Sequence, residues 1–529
     1  MTRFLGMSTA HSAMLLAWAV YLILALSLSF YDALPYAIFT VLCVSIYLLK
    51  YFEDSIPVPA TPALACHACL AVLGALALVI IAWQIATAPG ELRLFKVQSV
   101  IGFCALVGFS FLTSHKRSNI PWRLVAAGLL CQFYLGVFVF KSRTGYKIFE
   151  SMGDAVSTFL NFADVGAMFV FQDSDKTFAA NHIFAFSVLP KTVFFSAVCS
   201  IMYYLGVLQA TVRVVAAVLR FALGSSTVES VNAAGNIFLG QTEAPLLVRN
   251  ILPSATPSEI HCIMTGGFAT VAGGVLAAYI AMGVSPSQLI GASVMSAPAA
   301  LTISKIVCPS GVTVEKPSDN KGLITASDSD VEDDASDATG DTTATAEDTE
   351  FVFPAPSEKN IVEAAANGSS IAIALVLNIA AMLISFLSLI AFLDTVLLKL
   401  GAMVRITLSF EVVCGWLFFP VAWIIGTPYE DCGTVASLIG TKIFLNEFVA
   451  YQKLSTMIGV HRAISPRGEL IATYSLCGFS NVASIGVQVG GLAALCPEKK
   501  YVYVSLVVSA MIAGNTCCLM TAAVAGILS

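Results

Sequence analysis

The sequence predicts an all-α polytopic membrane protein, in which an inverted repeat contains two re-entrant helical hairpins and two broken transmembrane helices. Composition is the first observation behind this prediction. Of the 529 residues, 57% are hydrophobic and 11% are charged, and the mean hydropathy is +0.85, values typical of a membrane protein rather than a soluble one. The other observations are a series of long apolar runs and the repetition of two polar motifs.

Eleven apolar runs approach the length of about 20 residues that a helix needs to cross a bilayer. They lie near residues 13–31, 33–50, 67–88, 98–114, 122–141, 186–207, 258–282, 287–307, 370–398, 465–495 and 499–527. The first run has no small-residue cleavage site and is followed directly by further runs. We therefore predict a signal anchor rather than a removed signal peptide.

The formal net charge of −6 comes from one segment. Residues 328–350 contain ten acidic residues and no basic ones, so the rest of the chain carries a net charge of +4. Because the segment is also rich in Ser and Thr, we expect a disordered loop that acts as a solubilising linker, with phosphorylation as the alternative role.

Basic residues in short loops predict the orientation, since they favour the cytoplasmic side of a membrane. The strongest basic loops contain residues 115–117 with Arg123, and Arg213 with Arg220. Placing both loops inside puts the N-terminus and the acidic segment in the cytoplasm and the C-terminus outside the cell.

Two further segments are too polar or too short to be predicted as spans. Residues 148–163 have apolar side chains at helical spacing, which predicts an interfacial amphipathic helix. Residues 358–369 form the second segment and precede the long apolar run 370–398.

Two polar motifs each occur twice in the chain. Residues 235–245 (GNIFLGQTEAP) have a counterpart in residues 440–448 (GTKIFLNEF), and residues 267–273 (GFATVAG) have one in residues 478–484 (GFSNVAS). Internal repeats that interrupt apolar segments are typical of secondary transporters, whose substrate site lies between the repeats.

The first motif of each repeat lies within a segment that has two short apolar arms around a polar tip. These segments cover residues 225–253 and 430–457. No single arm could cross the bilayer, so both segments predict re-entrant hairpins, which are tolerated only where protein buries them or water wets them. On the orientation above they enter the membrane from opposite sides, as an inverted repeat requires.

The hairpin tips carry the two carboxylates Glu243 and Glu447. An ionisable residue inside a bilayer costs about 2.5–3.5 kcal/mol on insertion scales, so it is functional by default. Beside Glu243, Gln241 and Thr242 add an amide and a hydroxyl; an amide both donates and accepts, which suits the edge of a heterocycle. In the second repeat, Glu447 and Asn481 suit neighbouring hydroxyl groups.

Glycines predict that the span 258–282 is broken into two half-helices, which would expose backbone carbonyls and amides in mid-membrane. The interrupting residues are Gly266, Gly267, Gly273 and Gly274. Together with the side chains of Asn236 and Thr270, the exposed carbonyls could coordinate a cation such as Na⁺.

Capping of helix ends is the alternative role for polar residues at such breaks. It leaves the matched polar clusters of the two repeats unexplained, but it is our expectation for Lys442, Lys453 and Arg249. The pair Cys66 and Cys69 has no second pair nearby, so the fourteen cysteines predict neither a metal site nor a disulfide framework.

At these residues the sequence resembles the concentrative nucleoside transporter family. The resemblance covers about residues 145–310 and 357–527. It rests on four motifs, at residues 235–249, 294–298 (VMSAP), 446–451 (NEFVAY) and 477–481 (CGFSN). The apolar runs before residue 90 resemble the additional N-terminal helices of eukaryotic members.

The resemblance implies a homotrimer in the plasma membrane, in which each protomer has a scaffold domain and a transport domain that moves as an elevator. The implied divisions are 1–95, three additional N-terminal helices; 96–224, scaffold and interfacial helices; 225–310, the first hairpin repeat of the transport domain; 311–357, the acidic cytoplasmic loop; 358–429, an interfacial helix and a long scaffold helix; and 430–529, the second hairpin repeat.

The resemblance also implies the roles of individual residues. The base would be read by Gln241, Thr242, Glu243 and Val275, and the ribose would be held by Glu447, Asn481 and Ser484, with Phe479 lining the pocket. Sodium would be bound by the side chains of Asn236 and Thr270 and the carbonyls of Leu239 and Val271. Thr270 keeps the hydroxyl of a serine found in some members, whereas Gly274 lacks the hydroxyl that others place near the base.

We therefore expect a Na⁺-coupled symporter that carries nucleosides such as uridine or adenosine into the cell. Sodium is the expected coupling ion, with no other cofactor and no nucleic-acid partner. Proton coupling through Glu243 or Glu447 is the alternative within transport. An intramembrane hydrolase would need an acid pair on adjacent helices or a His-rich motif, which the apolar runs lack. A nucleoside receptor that does not transport would be separated by a flux assay.

Overall fold

The computed structural model describes residues 67–171, 186, 189–314, 353–354, 358–458 and 463–529. Within these residues the regular structure is helical throughout, with no strand. The predicted runs 13–31 and 33–50, Cys66 and the acidic residues 328–350 lie outside the described part of the chain.

The helices that precede the first predicted hairpin are α1 (His67–Ala86), α2 (Gly90–Leu112), α3 (Trp122–Lys141), α4 (Arg143–Phe171), α5 (Leu189–Tyr204) and α6 (Val207–Leu223). A 3₁₀ turn, Arg117–Asn119, joins α2 to α3. Helices α5 and α6 meet at an angle of 79°. Gly206, at φ +77°, lies at this bend, because the left-handed conformation favours glycine.

Helix α4 differs from its prediction. The segment 148–163 is part of one helix of 29 residues, which is long and apolar enough to cross a membrane. The segment is helical as predicted, but the helix extends beyond both predicted ends and so reaches a length that can span, whereas its position at the membrane interface stays a prediction.

The first repeat contains α7 (Thr227–Gly235), a 3₁₀ turn (Ala244–Val248), α8 (Pro257–Ala269), α9 (Gly273–Ala281) and α10 (Pro286–Val307). Capping boxes begin α7, at Ser226 with Glu229, and α8, at Thr256 with Glu259. The outgoing arm of this hairpin is built from turns and the 3₁₀ segment rather than from an α-helix.

The second repeat contains α11 (Ile361–Met403), α12 (Phe410–Ile424), α13 (Tyr429–Phe444), α14 (Glu447–Thr456), α15 (Pro466–Leu476), α16 (Val482–Leu495) and α17 (Lys500–Leu528). Another 3₁₀ turn, Pro497–Lys499, links α16 to α17. Most of segment 358–369 belongs to the 43-residue α11 and is not a separate element. Helices α12 and α13 are bent by 119° relative to each other.

Both predicted hairpins and both broken helices are present. Helices α13 and α14 turn at Leu445 and Asn446, and α8/α9 and α15/α16 are interrupted at residues 270–272 and 477–481. The first interruption follows Gly266 and Gly267, which lie inside α8. The prediction that these two glycines break the span was therefore wrong, whereas Gly273 does begin the next half-helix.

The two repeats interlock, because each hairpin packs on the broken helix of the other repeat. One buried apolar cluster contains Tyr279 of α9 and Phe448 of α14, whose rings are 5.1 Å apart. A second cluster contains Leu239 and Leu247 of the first hairpin with Leu492 of α16. This exchange holds the two polar hairpin tips close together.

Among the described residues, six helices are long and apolar enough to cross a membrane, or up to eight if each bent pair is one span. The long helix α10 is mostly buried and rich in small residues. This is the composition expected at the centre of such a bundle, because small residues allow neighbouring helices to approach closely. The fold is that of a multi-pass membrane protein with re-entrant elements.

Candidate functional site

The two hairpin tips border one cavity of about 810 Å³. All eight residues predicted to bind substrate line it: Gln241, Thr242, Glu243, Val275, Glu447, Phe479, Asn481 and Ser484. They come from four elements that are far apart in sequence. The cavity is therefore a consequence of the way the two repeats interlock.

The first side of the cavity is the tip of the first hairpin. The backbone N–H of Gly240 donates to Glu243 Oε2 at 3.1 Å, which holds the carboxylate against the turn. Gln241 is 7% exposed and Thr242 is half-buried beside it. Val275, from the first turn of α9, adds an apolar surface. This side therefore presents an amide, a hydroxyl and a carboxylate next to the apolar side chain of Val275.

The second side is formed by two helix N-termini. Asn446 caps α14, where its Oδ1 accepts from the N–H of Val449 at 2.9 Å, and Asn481 caps α16, where its Oδ1 accepts from the N–H of Ser484 at 2.8 Å. Asn481 Nδ2 also donates to Glu447 Oε2 at 2.7 Å. The positive ends of both helix dipoles thus face the Glu447 carboxylate.

Glu447 is 2% exposed, so its carboxylate is held rather than free to sample solvent. The hydrogen bond from Asn481 occupies Oε2 and leaves lone pairs on Oε1 for other donors. A neutral ligand with adjacent hydroxyl groups fits this side, because its hydroxyls can donate to the carboxylate and accept from the cap region.

The two helix breaks touch each other behind the cavity. The N–H of Phe479 donates to the carbonyl of Thr270 at 3.3 Å, and the N–H of Gly273 donates to the carbonyl of Phe238 at 3.2 Å. Gly478 has φ +152°, and a Cβ there would lie 2.8 Å from the carbonyl oxygen of Phe268. Only glycine permits this close crossing of two interrupted helices.

The residues predicted to bind sodium lie beside this crossing. Thr270 Oγ1 donates to the carbonyl of Gly266 at 2.8 Å, which leaves its lone pairs available. Asn236 Nδ2 packs on Gly266, where a Cβ would lie 2.6 Å away. Within the described residues, both amide atoms of Asn236 are buried and lack a hydrogen-bonding partner.

The buried Asn236 amide fits the interpretation that a cation or water completes this region. Leu239 and Val271, whose carbonyls are the other predicted ligands, are also buried and lie next to the same crossing. The donor set is made of neutral oxygens, which suit a hard monovalent cation. The structure brings these four residues to one region.

Cavity residues that sequence reasoning did not single out include Asn446, Phe448 and Cys199. Asn446 carried a detectable signal, since an Asn three residues before Val449 in a break is a typical helix cap. Cys199, on α5, carried none, because it lies in an ordinary apolar run. The cavity also extends to Tyr203 and Pro354, where the Tyr203 hydroxyl donates to the Pro354 carbonyl at 3.1 Å.

Three basic residues were expected to have structural roles. Lys442 Nζ donates to the carbonyl of Ser475 at 3.0 Å, and Lys453 pairs with Glu411 at 2.5 Å. Both contacts agree with that expectation. Arg249 lines the cavity, and its structural role stays a prediction.

Comparison with known families covers most of the chain. A model described as "Na+ dependent nucleoside transporter C-terminus" matches residues 288–526, and the corresponding N-terminus model matches residues 101–174. A third model, Gate, described as "Nucleoside recognition", matches residues 185–286.

Relatives of the chain include members of solute carrier family 28 and sodium/nucleoside cotransporters. "Solute carrier family 28 member 3" from mouse and from human are each 40% identical to this chain, over 99% and 98% of it and 73% of each relative. "Sodium/nucleoside cotransporter 1" from rat is 40% identical over 82% of this chain and 64% of its own length.

Solved structures of a transporter called CNTnw share the fold. Its inward-facing, substrate-bound structure is 33% identical and matches with a TM-score of 0.71, over 82% of this chain and 98% of that chain. A variant of CNTnw in an outward-facing state is 32% identical and matches with a TM-score of 0.72 over the same shares.

Proposed function

Because the chain belongs to the concentrative, sodium-dependent nucleoside transporter family, we propose that it is a Na⁺-coupled symporter that carries nucleosides into the cell. Like the other members of this family, it is a multi-pass membrane transporter and not an enzyme. One observation carries the proposal further: a single cavity joins the tip that carries Gln241, Thr242 and Glu243 to the tip that carries Glu447.

In the proposed binding mode, the nucleoside lies between the two hairpin tips. Gln241, Thr242 and Glu243 read the polar edge of the base, while Val275 and Phe479 cover its faces. The ribose hydroxyls donate to Glu447 and contact Asn481 and Ser484. Support comes from the chemistry of each side, since a base edge needs both donors and acceptors and a diol needs a strong acceptor.

Sodium is the proposed co-substrate, held by Asn236 and Thr270 with the carbonyls of Leu239 and Val271. Each of these residues belongs to the first hairpin or to the first helix break, and Gly273 N–H already ties the two together through the Phe238 carbonyl. An ion here would stabilise the hairpin tip that reads the base. Ion and nucleoside would then raise each other's affinity, as linkage requires.

Movement is proposed to follow the elevator pattern in a homotrimer in the plasma membrane. The scaffold would contain α5 and the long α11, which pack against each other, and the interlocked hairpins and broken helices would move as one body. The likeness to CNTnw in both inward-facing and outward-facing states supports this proposal.

On the predicted orientation, with the N-terminus inside and the C-terminus outside, Pro354 and Glu358 lie on the cytoplasmic side. A cavity that reaches both residues would be open to the cytoplasm. The conformation described would thus be inward-facing, from which sodium and nucleoside leave the binding site.

Uptake of radiolabelled uridine and adenosine into cells without such carriers tests the proposal. We expect saturable uptake that falls to background when Na⁺ is replaced by choline. Uptake that is independent of Na⁺ but rises at low external pH would replace the sodium mechanism with proton coupling. Nucleoside binding without flux would identify a receptor and overturn the transport proposal.

Deleting residues 325–350 should leave the apparent affinity for uridine within about twofold of wild type, because the composition of this segment predicts a linker that buries no core. The deletion retains Phe353 and Pro354, which Arg213 and Tyr203 contact at the cavity rim. Uptake kinetics normalised to surface abundance provide the measurement.

A matched control for the deletion is Tyr203→Phe, which removes the hydrogen bond to the Pro354 carbonyl and keeps the acidic segment. A deletion mutant that reaches the surface but binds uridine many-fold more weakly would contradict the linker role. If Tyr203→Phe weakened uridine binding as much as that deletion, the cause would be loss of the Tyr203–Pro354 hydrogen bond at the cavity rim and not loss of the acidic residues.

A further inference from the structure

Gln488 is a buried amide that the proposed binding mode does not use. It lies on α16, is 0% exposed and is not among the residues that line the cavity. Within the described part of the chain, neither its Nε2 nor its Oε1 has a hydrogen-bonding partner. Each unsatisfied buried group is unfavourable, so such a residue calls for a partner in another state of the cycle.

The neighbours of Gln488 identify that partner. A Cβ built on Gly267 of α8 would lie 2.9 Å from Gln488 Oε1 and 2.8 Å from Gln241 Cβ. The two glutamine side chains therefore converge on the same glycine. Any larger residue at position 267 would separate them, since a Cβ cannot approach other heavy atoms so closely.

The Gln241 amide has an unsatisfied acceptor, which could bind the unsatisfied donor of Gln488. Gln241 is 7% exposed and lines the cavity, and its Oε1 is buried without a partner in the described residues. Among the residues that the structure describes, Gln241 Oε1 and both amide atoms of Gln488 are thus buried without partners, in two side chains that meet at Gly267. A hydrogen bond from Gln488 Nε2 to Gln241 Oε1 would satisfy this acceptor and this donor.

The face of α16 that carries Gln488 connects the two sides of the cavity. Its buried residues Ser484, Gln488 and Leu492 follow each other at four-residue spacing. Ser484 lines the proposed ribose side, and a Cβ on Gly491 would lie 2.9 Å from Thr242 Cγ2 of the first hairpin tip. Gln488 therefore lies directly behind the tip that faces the base.

We propose that Gln488 is a specificity-determining positioning residue, whose Nε2 donates to Gln241 Oε1 and so directs Gln241 Nε2 to donate to the base. This inference rests on the base-reading role proposed above for Gln241. An unrestrained amide can turn either its donor or its acceptor to a ligand. A Gln241 amide whose Oε1 accepts from Gln488 Nε2 presents only its donor to the base.

The consequence is discrimination by the exocyclic group of the base. Uracil presents a carbonyl where cytosine presents an amino group, so a fixed donor favours uridine over cytidine. Among purine nucleosides, inosine presents the carbonyl group and adenosine presents the amino group. The wild-type transporter should therefore show a lower apparent KM for the carbonyl-bearing member of each pair.

Gln488→Leu tests the inference, because leucine has a similar volume and no donor. The ratio of the apparent KM values for cytidine and uridine should fall about three- to tenfold, the effect of one neutral hydrogen bond. The Na⁺ activation curve should stay unchanged. Gln488→Glu, an acceptor without a donor, should bind Gln241 Nε2 instead and shift the ratio further towards cytidine.

Gln132→Leu is the matched control. Gln132 is also a fully buried amide, but it faces Thr521 on α17, to whose hydroxyl it donates at 3.1 Å, and it does not line the cavity. Its replacement should lower surface abundance at most and leave the base ratio as in wild type. An equal change of ratio in both variants would overturn the inference, since any lost buried amide would then suffice.

Gln241→Leu separates the inference from the proposal on which it rests. If Gln241→Leu removes the discrimination and Gln488→Leu does not, the positioning role of Gln488 is wrong and the base-reading role stands. If Gln241→Leu leaves both KM values unchanged, the base-reading role itself fails. In the double variant we expect no further change of the ratio beyond that of Gln241→Leu alone, because the two residues act through one hydrogen bond.

Discussion

Replacing Glu447 by Gln should weaken recognition of uridine about ten- to hundredfold, with little change in surface abundance. The proposed ribose contact is a hydrogen bond to a charged acceptor, and such bonds contribute about 1.5–3 kcal/mol. Glutamine keeps the shape and can still contact Asn481, whose Nδ2 donates to Glu447 Oε2 at 2.7 Å. The measurement is the apparent KM for uridine, normalised to surface protein.

Glu229→Gln is the control for this prediction. Glu229 is 2% exposed, like Glu447, but it forms an ion pair with Lys305 and does not line the cavity. Its replacement leaves a buried lysine without its carboxylate and should reduce the amount of folded protein. Uridine affinity of the surviving transporters should be normal. A wild-type affinity in Glu447→Gln would refute the assignment of Glu447 to the ribose.

The hairpins and broken helices could be predicted because two short motifs occur twice in a chain that is otherwise apolar. A polar tip such as residues 241–243, between two apolar arms that are each too short to cross the bilayer, predicts a chain reversal. The eight residues assigned to substrate were inferred in this way and by resemblance. The structure brings them to one cavity.

Element boundaries followed less directly from the sequence. Helix α4 extends beyond the predicted segment 148–163 at both ends, because a helix that packs against neighbours tolerates polar residues on its other face. Gly266 and Gly267 remain helical in α8 for a related reason. They serve as points of close approach for Asn236 and Gln241, and glycine at such a contact need not end a helix.

Gln488 could not have been identified from sequence alone. A single amide in an apolar half-helix is as consistent with a satisfied core residue as with a positioning role. Only the packing of α16 on Gly267 shows that its amide meets the back of the first hairpin tip. Such contacts join residues about 220–250 positions apart in a chain whose repeats interlock, and no local pattern records them.

Replacing Thr270 by Val should raise the Na⁺ concentration for half-maximal uptake about tenfold or more. Valine keeps the shape of threonine and removes one oxygen, and loss of one partner of a charged group costs at least about 1.5 kcal/mol. Gln241 and Thr242 are left in place, so the apparent affinity for uridine should recover at saturating Na⁺. This recovery follows from linkage between the two ligands.

Thr302→Val is a matched control for the sodium prediction. Thr302 is also buried and donates to a carbonyl four residues earlier, that of Pro298 at 2.7 Å, as Thr270 does to Gly266. The control variant loses the same kind of bond in α10, outside the cavity, and should keep the wild-type Na⁺ activation curve. Suppose instead that Thr270→Val weakens uridine binding equally at every Na⁺ concentration. Thr270 would then belong to the substrate site, and the ion would have to be bound by other residues.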